Sequence, residues 1–175
     1  MSDILVKIIA DGAVLPIVVI GTWALLFRLP VNSNRLQVYS RVLMAGLTAY
    51  LFAKLIGSIY QPQSMRPFET LGISAGASYL NNPGFPSDHV LFCMTIAFAV
   101  LFETRLKWLG YTLIGLTLLV GLGRILALVH TPLDVIGGLV IACAGIPWYL
   151  QKETARVRKK KIGTEARQNG NHAVK

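Results

Sequence analysis

The chain has 175 residues, of which 54% are hydrophobic and only 14% are charged, and its formal net charge is +9. This charged share is about half of that in a typical soluble domain. The composition therefore argues against a water-soluble globular protein and favours a polytopic membrane protein with one domain. No basic start followed by a small-residue cleavage site precedes the first apolar run, so we expect no cleavable signal peptide.

Five apolar runs reach or approach the ~20 residues that a helix needs to cross the hydrocarbon core. They cover residues 12–29, 38–60, 88–104, 106–129 and 132–150, and the third is the shortest. The start of the chain, MSDILVKIIA, is predicted to lie in the membrane interface or to add a span. The predicted fold class is therefore an all-α polytopic membrane helix bundle of five or six transmembrane helices, with residues 1–150 as its membrane domain.

The segment 151–175 is the clearly hydrophilic part of the chain. It holds eight Lys or Arg residues against two Glu, which gives +6 of the total charge of +9. This composition predicts a largely disordered tail. Nucleic acid is an alternative partner for a basic run, but a position directly after a membrane helix favours contact with anionic lipid. We therefore expect a cytoplasmic tail that touches membrane lipids and binds no nucleic acid.

The distribution of basic residues predicts the orientation of the spans. With the tail inside, five spans place the connections 28–41 and 105–107 in the cytoplasm and the connections 61–87 and 130–131 outside. The inner connections satisfy the positive-inside rule. Their basic residues are Arg28, Arg35, Arg41, Arg105 and Lys107. We therefore predict a multi-pass protein of the cell membrane.

A second group of polar residues lies at the predicted outer ends of the spans, where charge is costly and usually has a task. Arginine suits bidentate contacts with phosphate, lysine supplies a point charge, and helix N-termini bind anions. The group therefore predicts an outward-facing site for a phosphate group. Its members are Lys54, Arg66, Glu69, Ser87, Asp88, His89, Arg124, His130 and Asp134.

Purely structural roles are alternatives for several of these residues. Ser87 is typical of a helix N-cap, and TPLD at 131–134 is typical of a capping box with Pro in the first helical position. Lys54 could extend along the helix to the membrane interface. Capping does not explain why a histidine stands beside each cap, nor why an arginine precedes His130 by six residues.

The order of these motifs resembles the three-part signature of the type 2 phosphatidic acid phosphatase superfamily. The motifs are RP at 66–67, PSDH at 86–89 and RILALVHTPLD at 124–134, and the resemblance covers about residues 54–145. Asp88, where the family usually has Gly, is similar to the bacitracin-resistance type of undecaprenyl diphosphate phosphatase. Two positions depart from the family pattern: Ile59 occupies the place of a lysine, and Gly123 the place of a frequent serine.

The resemblance implies a membrane lipid phosphatase that hydrolyses undecaprenyl diphosphate on the outer face, with no cofactor and no metal. His130 is implied as a nucleophile that forms a phosphohistidine, Asp134 as the partner that orients it, and His89 as the acid that protonates the leaving group. The side chains implied to bind the substrate phosphate are Arg66, Ser87, Arg124 and, at a shifted position, Lys54.

Two alternatives stay open from the sequence. The first is a phosphatase of the same family that acts on phosphatidic acid or phosphatidylglycerol phosphate, so the substrate is an isoprenoid or a phospholipid phosphate. The second, from another class, is a membrane protein that binds lipid without catalysis. The His130–Asp134 spacing argues against the second, because residues four apart on a helix lie on one face.

Overall fold

The computed structural model describes residues 2–31, 33–60, 66–79 and 84–151, and within these ranges it contains helices and no strand. This confirms the predicted all-α fold class. The predicted tail lies outside the described residues, except for its first residue. The elements are α1 Ser2–Lys7, a π-helical turn Ile8–Gly12, α2 Val14–Phe27, α3 Arg35–Ile59, α4 Pro67–Thr70, α5 Asp88–Glu103, α6 Lys107–Leu126, α7 Pro132–Ala142 and a 3-10 turn Cys143–Gly145.

Four helical segments among the described residues are long and apolar enough to cross a membrane: Ile4–Phe27, Arg35–Ile59, Lys107–Leu126 and Pro132–Gln151. They correspond to four of the five predicted spans. The other predicted span is α5, which has 16 residues. At 1.5 Å per residue it is about 24 Å long, which is less than the ~30 Å thickness of a hydrocarbon core. The chain is therefore a multi-pass membrane protein whose central helix is short.

The N-terminal segment differs from its prediction. It is neither a separate interfacial piece nor an additional span, because α1, the π-helical turn and α2 form one continuous apolar run, Ile4–Phe27. The first span begins at Ile4, so the predicted start at residue 12 is wrong. The prediction began too late because Lys7 and Asp11 interrupt the apolar pattern of the sequence. The run continues through both residues, and its π-helical turn is closed by a hydrogen bond from Ala13 N–H to the Ile8 carbonyl of 3.0 Å.

Helix α5 is the centre of the bundle. It packs against α2, α3, α6 and α7, and half of its residues are buried. The core between these helices is built from small and branched side chains that allow close packing in a membrane. Its fully buried members include Ile17, Ala97, Val100, Leu113 and Val120. The short helix is thus held on several sides, and its first residues are placed where the neighbouring helices end.

The two basic connections meet at one end of the bundle. Arg105 N–H donates to the Arg28 carbonyl at 3.3 Å. Beside them, Arg41 forms a bidentate ion pair with Glu103 at 2.7 and 3.0 Å, and Glu103 is fully buried. The ends of α3 and α6 and the starts of α5 and α7 lie at the opposite end. The polar group predicted from the sequence belongs to that second end.

Candidate active site

A sharp turn after α6 carries the third motif. Leu128 adopts a left-handed conformation with φ of 58°, which is uncommon for a residue with a side chain and often accompanies functional sites. His130 N–H and Val129 N–H both donate to the Arg124 carbonyl, at 3.4 and 3.3 Å. The turn folds the chain back on itself, so His130 follows closely on the end of the helix that carries Arg124.

Asp134 has two roles in the first turn of α7. Its Oδ2 accepts from Thr131 N–H at 2.7 Å, and its own N–H donates to Thr131 Oγ1 at 3.2 Å. The capping box predicted from TPLD is therefore confirmed. The same Oδ2 lies 3.5 Å from His130 Nδ1, which is beyond a normal hydrogen bond but close enough for electrostatic pairing. The cap thus aims the carboxylate at the histidine ring, and the two roles coexist.

Ser87 occupies the N-cap position of α5 without capping it. Its side chain accepts no backbone hydrogen bond from the first turn, and the residue is fully buried. Its backbone N–H instead donates to the Asp134 carbonyl at 3.0 Å. Gly138 allows this contact, because a Cβ atom there would lie 2.9 Å from the Ser87 carbonyl oxygen. The capping alternative for the Ser87 hydroxyl is therefore wrong, and the start of α5 is joined to the start of α7.

Arg66 enters the same region from the long connection. Its Nη1 donates to the Val129 carbonyl at 2.6 Å, and its guanidinium lies 5.4 Å from the ring centre of Tyr79. Its backbone N–H donates to Glu69 Oε2 at 2.7 Å, which holds the start of α4. Arg66 is only 7% exposed. The arginine of the first motif is therefore anchored beside the turn that carries His130.

Arg124 is almost fully buried, at 1% exposure. Its Nη1 donates to Asp11 Oδ1 at 2.8 Å, a partner that sequence reasoning missed. The usable signal was an acidic residue inside an apolar run, since a carboxylate at that depth needs a partner. The predicted first span begins just after Asp11, so this carboxylate is missing from the predicted polar group.

Three buried side-chain atoms in the described part of the chain have no hydrogen-bond partner: Ser87 Oγ, Arg124 Nε and His130 Nδ1. Buried polar groups are normally paired, so each exception needs an explanation. All three belong to residues predicted from the sequence to bind or attack the phosphate. His130 Nδ1 faces the Asp134 carboxylate, whereas Ser87 Oγ and Arg124 Nε are left for an anion that would complete their hydrogen bonding.

Lys54 and Asp88 form a contact at the edge of this region. Lys54 Nζ lies 3.4 Å from Asp88 Oδ1, and the lysine side chain is 47% exposed. The lysine also lies over the ring of Tyr50, at 5.2 Å from its centre. Asp88 thus holds a cation beside the second motif. His89, half-buried, is within electrostatic range of Arg124, His130 and Asp88.

Burial and neighbouring charges set the protonation of His130. Burial lowers the pKa of His130 below its ordinary value, and the positive charges of Arg124 and Arg66 act in the same direction, while Asp134 opposes them. Burial also lowers the pKa of Arg66, against the charges of Asp134 and Glu69. An imidazole with a depressed pKa is neutral near pH 7, which is the form that can act as a nucleophile.

The structure thus brings the three motifs to one end of the bundle. The first and third motifs are joined through Val129, and the second and third through the Asp134 carbonyl. Lys54 lies at the margin and reaches the group through Asp88. Within the described ranges, no cluster of three or more His, Cys, Asp or Glu side chains is placed to hold a metal ion. The roles of the individual residues stay predictions.

Comparison with known proteins identifies a family and two relatives that this chain is similar to. The model of the PAP2 superfamily matches residues 37–158. The chain is 34% identical over 112 residues to the "Bacitracin transport permease protein BcrC" of Bacillus licheniformis, which covers 63% of this chain and 52% of that protein. It is also 34% identical over 110 residues to the "Undecaprenyl-diphosphatase BcrC" of Bacillus subtilis (strain 168), covering 61% and 54%.

The aligned part of the chain spans about half the length of these curated relatives. No solved structure was found to match the chain. The matched residues include all three motifs and extend beyond the last described helix. On the family match, which covers more than half of its residues, the chain belongs to the PAP2 superfamily, the family that its three motifs resemble.

Proposed function

We propose that this protein is an integral-membrane lipid phosphatase that hydrolyses undecaprenyl diphosphate to the monophosphate through a phosphohistidine. His130 Nε2 attacks the terminal phosphorus, and the bond from that phosphorus to the bridging oxygen breaks. His89 gives a proton to the departing lipid monophosphate. Water then attacks the phosphohistidine, His89 takes a proton from it, and inorganic phosphate leaves.

The observation that carries this proposal is a pair of buried donors without partners among the described residues, Ser87 Oγ and Arg124 Nε. An unpaired buried donor costs free energy, so a protein keeps two of them at one end of the bundle only where a ligand offsets that cost. A phosphoryl group has several acceptor oxygens and a negative charge, which suit a hydroxyl donor and a buried guanidinium. Arg66, anchored on the Val129 carbonyl, adds a second guanidinium to the same region.

The pairing of His130 with Asp134 supports the nucleophilic step. When Nε2 of the imidazole forms a bond to phosphorus, the ring becomes positively charged, and a carboxylate 3.5 Å from Nδ1 stabilises that charge. Before the attack, the depressed pKa of His130 keeps the ring neutral and its Nε2 lone pair available. The same carboxylate therefore orients the neutral ring and stabilises the charged intermediate, as in triads where an acid fixes a catalytic histidine.

An apolar groove supports a lipid substrate. A cavity of about 640 Å³ lies between α3 and α5, with Lys54 and Asp88 among its lining residues. The rest of its lining is mainly apolar and includes Val42, Leu47 and Ile96. From residue 54 to residue 42 of α3 the groove follows about 18 Å of helix. Its polar end adjoins the second motif, so a hydrocarbon chain in the groove would leave its phosphate near His130.

The choice of undecaprenyl diphosphate rests on the relatives and on Asp88. A protein 34% identical to this chain is named an undecaprenyl-diphosphatase, and Asp88 stands where the wider family usually has glycine. Asp88 holds Lys54 at 3.4 Å, which supplies a further cation at the margin of the site. A diphosphate carries more negative charge than a monophosphate and has more oxygens for that cation to contact.

The function is tested by phosphate release from purified protein in detergent, measured with and without EDTA. The panel contains undecaprenyl diphosphate, phosphatidylglycerol phosphate and phosphatidic acid. We expect the highest kcat/KM with undecaprenyl diphosphate. A higher kcat/KM with either phospholipid would overturn undecaprenyl diphosphate as the substrate and support the phosphatase activity itself. No release from any of the three would favour a lipid-binding protein without catalysis, and loss on chelation that Mg²⁺ restores would contradict the metal-free mechanism.

A further inference from the structure

The N-terminal helical run Ile4–Phe27 contributes an acidic side chain to the site from outside the matched family region, which begins at residue 37. Asp11 lies in the π-helical turn Ile8–Gly12. Its Oδ1 accepts from Arg124 Nη1 at 2.8 Å, and its Oδ2 accepts from Ser78 N–H at 2.9 Å. π-Helical turns are rare and occur frequently at functional sites. The carboxylate therefore joins three separate parts of the chain: the π-helical turn, the long connection and α6.

We propose that Asp11 is a positioning residue that holds the Arg124 guanidinium in the orientation that binds the substrate phosphate, an inference that rests on the proposed function. Arg124 is 1% exposed, so water cannot hold its orientation. Asp11 occupies Nη1, while Nε is buried and has no hydrogen-bond partner within the described residues. The ion pair thus fixes one side of the guanidinium and leaves a donor on the other side for an anion.

Gly123 allows the π-helical turn Ile8–Gly12 to lie directly against α6. A Cβ atom at Gly123 would lie 2.8 Å from Ala10 N, a distance that real Cβ atoms essentially never show, and 3.0 Å from Ala10 Cα, which is also very tight. Ala10 is fully buried against this position. The related family often has serine here, and a serine would push the first helix away and separate Asp11 from Arg124. This chain therefore lacks a hydroxyl beside the arginine and gains a carboxylate that orients it.

A merely structural role for Asp11 makes a different prediction. If the carboxylate only neutralised a buried cation, its loss would destabilise the fold and leave the kinetics of each folded molecule unchanged. A positioning role requires that folded protein without the carboxylate binds phosphate poorly. Glu103 offers a matched control, since it is a fully buried carboxylate in a bidentate pair with Arg41 at the opposite end of the bundle.

The test compares Asp11→Asn, Asp11→Glu and Glu103→Gln with the wild type in detergent. Kinetics on the best lipid substrate are normalised to folded protein, and thermal unfolding is followed with and without inorganic phosphate. We expect Asp11→Asn to lower kcat/KM by ~10-fold or more, as the loss of a charge-assisted contact implies, and to abolish the stabilisation by phosphate. Asp11→Glu should restore part of both, and Glu103→Gln should lower only the unfolding temperature.

The outcomes separate the two proposals. Wild-type kinetics and undiminished phosphate stabilisation in Asp11→Asn would overturn the role of Asp11 even if the wild type is an active phosphatase. A wild type that hydrolyses none of the lipids, yet gains stability with phosphate that Asp11→Asn does not gain, would overturn the proposed function and support the role of Asp11. A wild type that neither hydrolyses lipid nor responds to phosphate would overturn both.

Discussion

Asp134 both caps α7 and faces His130, and the two roles can be separated by mutation. Asp134→Asn keeps an oxygen that can accept from Thr131 N–H but removes the negative charge 3.5 Å from His130 Nδ1. At an effective dielectric constant of about 20, two unit charges at this distance attract by about 5 kcal/mol. Desolvation offsets part of this, so we expect kcat to fall by ~10²-fold or more, because the charged phosphohistidine loses its partner.

Thr131→Ala is the matched control. It removes the acceptor for Asp134 N–H, a 3.2 Å cap contact, and leaves the carboxylate in place. Loss of such a cap lowers the free energy of unfolding by about 1 kcal/mol, and kcat should stay near the wild-type value. The assay is single-turnover phosphate release, with unfolding measured on the same samples. Normal kcat in Asp134→Asn, or an equal loss of kcat in both variants, would refute the orienting role of the carboxylate.

His130→Ala should abolish turnover and leave no protein-bound phosphate after acid-free quenching of a reaction with labelled substrate; label on any other residue would contradict the nucleophile. Lys54→Ala should lower kcat/KM by ~10-fold or more if its contact with Asp88 presents a cation to the substrate, whereas unchanged kinetics would indicate a lysine that only reaches the interface. In a background without native cysteines, a Cys at the exposed position of Ser78 should react with an impermeant maleimide in whole cells, and a Cys at Thr164 only after permeabilisation. The reverse labelling pattern would place the site on the cytoplasmic side.

The architecture was largely predictable because a bilayer imposes length and hydropathy on each span. The ends of α3, α5, α6 and α7 follow from apolar runs that charged or turn residues interrupt. The grouping of Arg66, Ser87 and His130 at one end was predictable for the same reason, since the number of spans between motifs sets their side. The confirmed capping box at Thr131–Asp134 is a local signal that needs no tertiary information.

The Asp11–Arg124 pair could not be predicted in the same way. The two residues are 113 positions apart, and their contact depends on a π-helical turn and on the close approach that Gly123 permits. Neither feature leaves a periodic signal in the sequence. The extra residue of a π-helical turn rotates every later side chain to another face of the helix. The Ser87 hydroxyl is a related case, since an N-cap residue and an unpaired buried hydroxyl have the same sequence signature.

Because α5 is short, it sets the depth in the bilayer at which the candidate site would contact its lipid substrate. The end of α5 farther from the candidate site is held by the buried bidentate pair of Glu103 with Arg41, so the deficit of about 6 Å against a typical core falls at the end that carries the second motif. Ser87 and His89 would then lie below the level of the neighbouring headgroups, and the bilayer would thin locally to wet them. A lipid phosphate could then reach Ser87 and His89 while its hydrocarbon chain stays in the leaflet. We therefore expect a lower turnover rate in thicker bilayers.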